Sequence, residues 1–170
     1  MRQVVIVLDG HDAAGKTTLA ARLAGELGGL HVRPFAGTAG QLMLWSARQG
    51  NFAFTSGLAR QAVEYTLATN QAPILVFDRH WMTVFSLLPE SYWPAWEPLP
   101  PTILCWASLE TTLSRLANRA DTEMQLEEHL HYLSLYRDIG QRFGCHLLRT
   151  DQLTAAESTK TLIEWARQFL

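Results

Sequence analysis

The chain has 170 residues, of which 48% are hydrophobic and 18% are charged, and these values suit one globular domain with a core large enough to fold alone. A formal net charge of −2 and an isoelectric point near 6.3 give no field that would draw the whole molecule to nucleic acid or to an anionic membrane, so non-specific DNA binding is disfavoured. The two cysteines are not at metal-ligand spacing, and the apolar run at the N-terminus is too short for a signal peptide or a membrane span, so we expect a cytoplasmic protein.

The first predicted element is a strand over residues 3–8. This run, QVVIVL, is short, continuous and β-branched, which is typical of a strand buried on both faces of a parallel sheet. After Gly15, leucines four residues apart from Leu19 to Leu27 form the apolar stripe of a helix, and a Gly-Gly pair ends it. The chain therefore begins with a strand, a loop and a helix.

The loop between this strand and helix, GHDAAGKT, satisfies the phosphate-loop pattern G-x-x-x-x-G-K-[ST] in the context that the pattern requires. Glycines let the backbone N–H groups point inward at phosphates, and the N-terminus of the helix adds its dipole. Lys16 would reach the outer phosphates of ATP, and the Thr17 hydroxyl would ligate Mg²⁺. Thr18 is expected to act mainly as a first-turn helix residue. The residues predicted to hold ATP are Gly10, His11, Asp12, Ala13, Ala14, Gly15, Lys16, Thr17 and Thr18.

Helical and strand patterns alternate along the rest of the chain. The stretch before residue 58 is less regular, with turn signals at Gly37 and Gly40. Residues 89–101 contain five prolines and two tryptophans and are predicted to be a loop or an extended excursion. The alternation predicts an α/β fold with a doubly wound parallel sheet in three α/β/α layers, as one domain over residues 1–170. The remaining predicted helices cover residues 58–68, 109–119, 123–143 and 157–170, and the remaining predicted strands cover residues 73–78, 103–106 and 145–148.

The order of these motifs resembles the thymidylate kinase branch of the P-loop nucleoside monophosphate kinases over nearly the whole chain. The segment LDGHDAAGKTT is similar to that family's acid-Gly-x-Asp-x-x-Gly-Lys-[ST]-Thr, and VFDRH, residues 76–80, is similar to its strand ending in Asp-Arg-[Tyr/His]. RPFAGT, residues 33–38, looks like a degraded Arg-Glu-Pro-Gly-Gly-Thr. Residues 101–119 resemble its Pro-strand-helix with paired arginines, and residues 123–137 resemble the helix after its LID.

The resemblance implies an ATP-dependent phosphotransferase that passes the γ-phosphoryl group of ATP to a pyrimidine nucleotide or a close analogue. It implies that Asp12 faces the sugar of the acceptor and that Arg33 and Arg79 contact the acceptor. Mg²⁺ would be held by Thr17 and, through water, by Asp78. A small-molecule nucleotide is therefore the expected partner, and a homodimer is left open.

Two further arginines would close on the transferring phosphoryl group. Arg115 and Arg119 are four residues apart on one helical face, at the start of a short LID near residues 119–123. Ala13 stands where some relatives place an arginine, which shifts that role to these two, although a surface salt bridge is an alternative for Arg115. Positioning and charge neutralisation suffice for this chemistry. The implied catalytic residues are Lys16, Asp12, Asp78, Arg79, Arg115 and Arg119.

The acceptor side departs from the family pattern. The family's base-stacking Phe-x-x-x-Arg is out of register, because the arginine near Phe54 is Arg60, and its Tyr-Gln-Gly is absent. Trp93 and Trp96 could stack on a nucleobase, or they could instead cover the core and the edge of the sheet. The predicted acceptor-binding residues are Arg33, Phe54, Arg60, Arg79, Trp93 and Trp96.

Two other functions remain open at this point. The acceptor could be a hydroxyl, on a nucleoside or on a hydroxymethylated pyrimidine in phage DNA, and a general base such as Asp12 or Asp78 would then be needed. The chain could also be a non-catalytic ATP-binding module, although the retained Asp78-Arg79 pair argues against it.

Overall fold

The protein is described from a computed structural model, which places residues 3–117 and 124–170. Five strands form one parallel sheet in the order β2-β3-β1-β4-β5, with helices on both faces. The predicted α/β fold with a doubly wound parallel sheet is therefore confirmed. The strands are β1 (Val4–Asp9), β2 (Leu30–Val32), β3 (Ile74–Asp78), β4 (Thr102–Trp106) and β5 (His146–Arg149). The α-helices are α1 (Lys16–Glu26), α2 (Thr38–Arg48), α3 (Phe52–Thr69), α4 (Trp81–Phe85), α5 (Leu109–Leu116), α6 (Leu126–Arg142) and α7 (Ala155–Ala166), and 3₁₀ helices cover Glu90–Trp96 and Arg167–Phe169.

The core lies on both faces of the sheet because successive residues of a strand point to opposite sides. Ile6 and Leu8 of β1 pack with Leu23 of α1 and Leu162 of α7 on one face. Val7 lies in a separate cluster with side chains of β3 and α3 on the other face. All of these side chains are excluded from solvent, which explains the continuous apolar run of β1.

The ends of β1 and β3 form one edge of the sheet. The two strands are parallel, and Leu8 pairs with Asp78, so the acids Asp9 and Asp78 finish at the same edge. The chain leaves β1 through Gly10, which has a φ of 138°. A Cβ atom there would lie 2.1 Å from the carbonyl oxygen of Cys105, so only glycine lets the loop pass this close to β4.

Several elements differ from the sequence prediction. The strand β2 is missing from the prediction, because its three residues are too few to show a period. Gly40 is a residue of α2 and not a turn: a Cβ atom there would lie 2.1 Å from the carbonyl oxygen of Phe35, so this glycine permits close packing. Helix α3 begins at Phe52, earlier than predicted, and α4 is also new. The predicted loop over residues 89–101 contains the 3₁₀ helix Glu90–Trp96, with Pro94 inside it.

None of the helices in the described ranges combines the length and the apolar character that crossing a membrane requires.

Candidate active site

The phosphate loop joins the end of β1 to the start of α1. Ala13 and Gly15 both have positive φ, at 57° and 82°, so the backbone curls before the helix begins. Among the described residues, no side chain caps the first turn of α1. Its leading N–H groups are therefore available to an anion, as the sequence motif predicts.

Lys16 lies across this loop with only 5% of its surface exposed. Its Nζ donates a hydrogen bond to the carbonyl oxygen of His11. Burial, together with the positive charge of Arg79, lowers the pKa of Lys16 to about 8. A phosphate in the cleft would offset both effects, so the ammonium is placed to bind an anion.

Thr17 and Asp78 meet where a magnesium ion is expected. The Thr17 hydroxyl donates to Oδ2 of Asp78 at 2.5 Å, and Nε of Arg33 lies 3.3 Å from the same oxygen. Oδ1 of Asp78 is buried and has no hydrogen-bond partner among the described residues. Hydroxyl and carboxylate oxygens suit Mg²⁺, which usually takes one or two carboxylates and completes its shell with phosphates and water. The described residues contain no group of three or more His, Cys, Asp or Glu side chains that could hold a metal ion.

Arg79 follows β3 and points back to the phosphate loop. Its backbone has a φ of 77°, and its N–H donates to the carbonyl oxygen of Leu8 at 3.0 Å. Its guanidinium donates to Oδ1 of Asp12. Burial opposes ionisation of Asp12, but the charges of Arg79 and Lys16 outweigh burial and keep the pKa of this carboxyl below its usual value. Asp12 is therefore an ionised partner of Arg79.

Two clefts meet beside this ion pair. The smaller, of about 190 Å³, follows the phosphate loop and includes Lys16 and Asp78. The larger, of about 500 Å³, lies between α2, α4 and α6. The side chains that line both clefts are Asp12, Arg33, Phe35, Ala36 and Arg79. The other walls of the larger cleft include His11, Gln41, Met43, Leu44, Arg48, Thr83, Ser86, Leu87, Glu128, Tyr132 and Tyr136.

A still larger groove, of about 920 Å³, lies at the opposite end of the strands. Its lining includes Thr102 and His146, the first residues of β4 and β5, and no residue of the phosphate loop. Size alone therefore does not locate the site, because ligands of parallel α/β sheets bind at the carboxyl ends of the strands.

A buried histidine pair joins the phosphate loop to α6. Nε2 of His11 lies 2.8 Å from Nδ1 of His129, and the His11 ring stacks on Tyr132 at 5.8 Å between centroids. Burial lowers the pKa of His11 to about 4, so its imidazole is neutral at pH 7. The sequence predicts no role for His129. Helical spacing relates it only to the nearby His131, whereas its contact with His11 joins residues 118 positions apart.

Solved structures of known proteins share this architecture. The chain is similar to thymidylate kinase from Candida albicans, with a TM-score of 0.71, 13% identity and 98% and 92% of the two chains covered. It is similar to deoxyadenosine kinase from M. mycoides with dCMP and dCDP bound, at a TM-score of 0.66, 14% identity and 98% and 100% coverage. It is also similar to the YorR protein of Bacillus subtilis in complex with phosphorylated GDP, at a TM-score of 0.64, 19% identity and 96% coverage of both chains. The fold is that of a nucleotide kinase.

No family model and no curated protein sequence matches the chain. The predicted resemblance to the thymidylate kinase branch is thus confirmed at the level of the nucleotide-kinase fold. Identities this low carry the fold alone, and any activity depends on the side chains that this chain places at the site.

In this nucleotide-kinase fold, Arg115 lies against the phosphate loop. Its guanidinium donates to the carbonyl oxygen of Ala13 at 2.9 Å and to the carbonyl and hydroxyl oxygens of Thr150 at 2.7 and 3.1 Å. Among the described residues, the partners of Arg115 are neutral oxygens, so the alternative of a surface salt bridge finds no acidic partner there. Arg119 and the predicted LID near residues 119–123 lie outside the described residues.

The two loop tryptophans line neither the smaller nor the larger cleft. Trp93 is buried and stacks on Phe85 with 4.7 Å between ring centroids and 2° between planes. The ring of Trp96 makes a T-shaped contact with the ring of His80, with 5.9 Å between centroids. The predicted stacking of Trp93 and Trp96 on a nucleobase is corrected accordingly: both cover the core. Composition could not decide between these roles, because an indole serves either equally well.

The pair Phe54 and Arg60 also lies outside both clefts. Phe54 is exposed on α3. Arg60 donates to the carbonyl oxygen of Ala95, and its guanidinium carbon lies 5.9 Å from the centre of the Trp96 ring. The structure therefore does not bring these two predicted acceptor-binding residues to the clefts, and Arg60 instead links α3 to the 3₁₀ helix.

Proposed function

We propose that the protein is an ATP-dependent phosphotransferase whose acceptor is a nucleoside monophosphate, a pyrimidine nucleotide or a close analogue. One observation carries this proposal. Arg33 and Arg79 line both clefts, so two guanidinium groups stand where a donor triphosphate on the loop would meet an acceptor in the larger cleft. Guanidinium groups bind phosphate oxygens in a bidentate manner.

The larger cleft suits a mononucleotide. Its volume of about 500 Å³ falls within the range of small-molecule sites, roughly 300–1,000 Å³. Tyr132 and Phe35 offer aromatic surface, and Gln41 and Glu128 offer polar groups for the edge of a base. The deoxyadenosine kinase structure holds dCMP and dCDP as products, so a protein of similar fold accommodates nucleotides of this size.

The chemistry needs only positioning and charge. An oxygen of the acceptor phosphate attacks the γ-phosphorus, the bond to the β–γ bridging oxygen breaks, and ADP leaves with the electron pair. Lys16 opposes negative charge on the outer phosphates, and Arg33 and Arg79 oppose it on the acceptor. Thr17 and Asp78 would hold Mg²⁺, which neutralises the β- and γ-phosphates when bound. This assembled set of charges argues for an enzyme over a non-catalytic ATP-binding module.

A hydroxyl acceptor is the second candidate, because one structural neighbour is a deoxyadenosine kinase. Such an acceptor requires a general base whose pKa lies near the working pH. Asp12 is paired with Arg79, and its pKa is lowered, which makes it a weak base. Asp78 accepts from Thr17 and lies beside Arg33. Both carboxylates are thus engaged in roles that suit a phosphate acceptor better than a hydroxyl.

Replacing Arg33 tests the proposal. In Arg33→Ala, we expect kcat/KM for a monophosphate such as dTMP or dCMP to fall about 10- to 100-fold, since a hydrogen bond to a charged group is lost. The exposed Arg22→Ala on α1 serves as the matched control. Equal losses in the two variants, or a wild-type preference for thymidine over dTMP, would contradict a monophosphate acceptor.

A further inference from the structure

Asp9 is a fully buried carboxylate beneath the catalytic edge. Its two oxygens accept hydrogen bonds from the N–H groups of Gly10, His80 and Thr83 and from the Thr83 hydroxyl, the last at 2.6 Å. An ionised carboxylate can only accept hydrogen bonds, so each group bonded to it must be the donor. The Thr83 hydroxyl therefore donates its single proton to the hydrogen bond with Asp9.

The proton directions beyond Thr83 follow from this constraint. The Tyr136 hydroxyl lies 3.1 Å from Oγ1 of Thr83, and Thr83 has no second proton to give, so Tyr136 must be the donor. The oxygen of Tyr136 is then left to accept, and Nη1 of Arg79 lies 3.4 Å away. Nη1 of Arg79 also donates directly to Oγ1 of Thr83 at 3.3 Å and to the carbonyl oxygen of Gly10 at 3.2 Å. Arg79 is thus joined to Asp9 through Thr83, both directly and by way of Tyr136, in a network that we call the hydroxyl relay.

We propose that Tyr136 and Thr83 are positioning residues that hold Arg79 on the acceptor phosphate by linking its guanidinium to Asp9. This inference rests on the proposed function, in which Arg79 contacts the acceptor. No motif in the sequence assigns a role to either hydroxyl.

The two attachments of Arg79 differ in their exposure. Asp12, which binds Nη2, has 43% of its side chain exposed and lines both clefts, so an incoming phosphate can compete with it for the guanidinium. Thr83, Tyr136 and Asp9, which hold the Nη1 side, are all buried. Phosphate can therefore displace Asp12 from one nitrogen while the relay keeps the other in place. Preorganised donors of this kind need no rearrangement during the reaction.

Hydroxyl deletions test the relay. In Thr83→Val and in Tyr136→Phe, we expect kcat/KM for the monophosphate to fall about tenfold or more, with the KM for ATP within about twofold of wild type. Because the two hydroxyls contact each other and both accept from Nη1 of Arg79, the loss in the double variant should be smaller than the product of the two single losses. Thr83→Ser restores the hydroxyl and should recover the acceptor kcat/KM. Thr55→Val is the matched control, since it also removes a buried hydroxyl but lies in α3, where its partners among residues 3–117 and 124–170 are Ser46 and Asn51.

Different results would overturn the proposed function and the hydroxyl relay. A wild-type protein that phosphorylates no monophosphate overturns the proposed function. An active wild type whose Thr83→Val variant matches Thr55→Val in acceptor kcat/KM overturns the relay alone. Losses that multiply in the double variant also overturn it, because independent effects would then be at work. Urea unfolding of wild type, Thr83→Val, Tyr136→Phe and the double variant adds a readout without substrate. The change in unfolding constant in the double variant should differ by about threefold or more from the product of the two single changes.

Discussion

Lys16 is the buried cation of the phosphate loop, and in the proposed function it opposes charge on the donor. We expect Lys16→Ala to lower phosphoryl transfer by about 100- to 1,000-fold, the usual loss when one preorganised charge donor is removed. The chain has one other lysine, Lys160, which is exposed on α7 and supplies the control Lys160→Ala. Transfer of label from [γ-³²P]ATP measures the effect, with circular dichroism as the check on folding. A rate of transfer within tenfold of wild type would show that the phosphate loop does not take part in phosphoryl transfer.

His80 makes stability depend on pH. Burial lowers its pKa from 6.5 to about 4, so between these values the unfolded chain binds a proton that the folded protein does not. The free energy of unfolding should therefore fall as the pH drops from 6.5 towards 4, by on the order of 3 kcal/mol from this group, at about 1.4 kcal/mol per pH unit. His11 adds a loss of the same sign over the same range.

Urea unfolding at pH 7.5 and 4.5 measures this dependence. His80→Phe removes the titrating group and should reduce the loss of stability at low pH, whereas the exposed His131→Gln should leave it as in wild type. An identical pH dependence in wild type and His80→Phe would show that His80 is protonated freely in the folded protein.

Helix α5 supports the phosphate loop through Arg115. The guanidinium holds the carbonyl oxygen of Ala13, whose backbone has positive φ, and anchors it to Thr150 after β5. We expect Arg115→Ala to raise the KM for ATP about tenfold, because the loop loses a charged hydrogen bond, and to change kcat much less. Arg137→Ala, exposed on α6, is the control. The reverse pattern, a collapse of kcat with an unchanged KM, would place Arg115 at the transferring phosphoryl group, as the family resemblance implies.

Elements with a long or continuous pattern were predictable from the sequence, and short ones were not. The strand β1 and helix α1 follow from an unbroken apolar run and from leucines at helical spacing. In contrast, β2 has three residues and α4 has five, and neither length shows a period. Gly37 and Gly40 resemble turn signals, yet the first precedes α2 and the second lies inside it against Phe35.

Site residues that are neighbours in sequence were likewise predictable, and contacts between residues distant in sequence were not. Lys16, Thr17 and their loop form one contiguous motif, so the sequence predicts them together. The contact between His11 and His129 spans 118 positions, and no local pattern encodes it. The hydroxyl relay likewise joins three separate elements through pairings that only the folded chain reveals.

The whole molecule presents two joined clefts with arginines at their junction and a net charge of −2. A small acceptor held by Arg33 and Arg79 should bind with a shallow dependence on salt. A DNA strand would contact many phosphates, and its affinity would fall steeply with salt because counterions are released. The overall charge favours the small acceptor.

The identity of the labelled product tests the proposed function most directly. Wild-type protein would be incubated with [γ-³²P]ATP and Mg²⁺ and offered dTMP, dCMP, thymidine or hydroxymethylated DNA in separate reactions. We predict that label enters a nucleoside diphosphate and that thymidine and DNA remain unlabelled. Label in thymidine or in the modified DNA, with dTMP and dCMP ignored, would contradict a monophosphate acceptor and assign the site to a hydroxyl kinase.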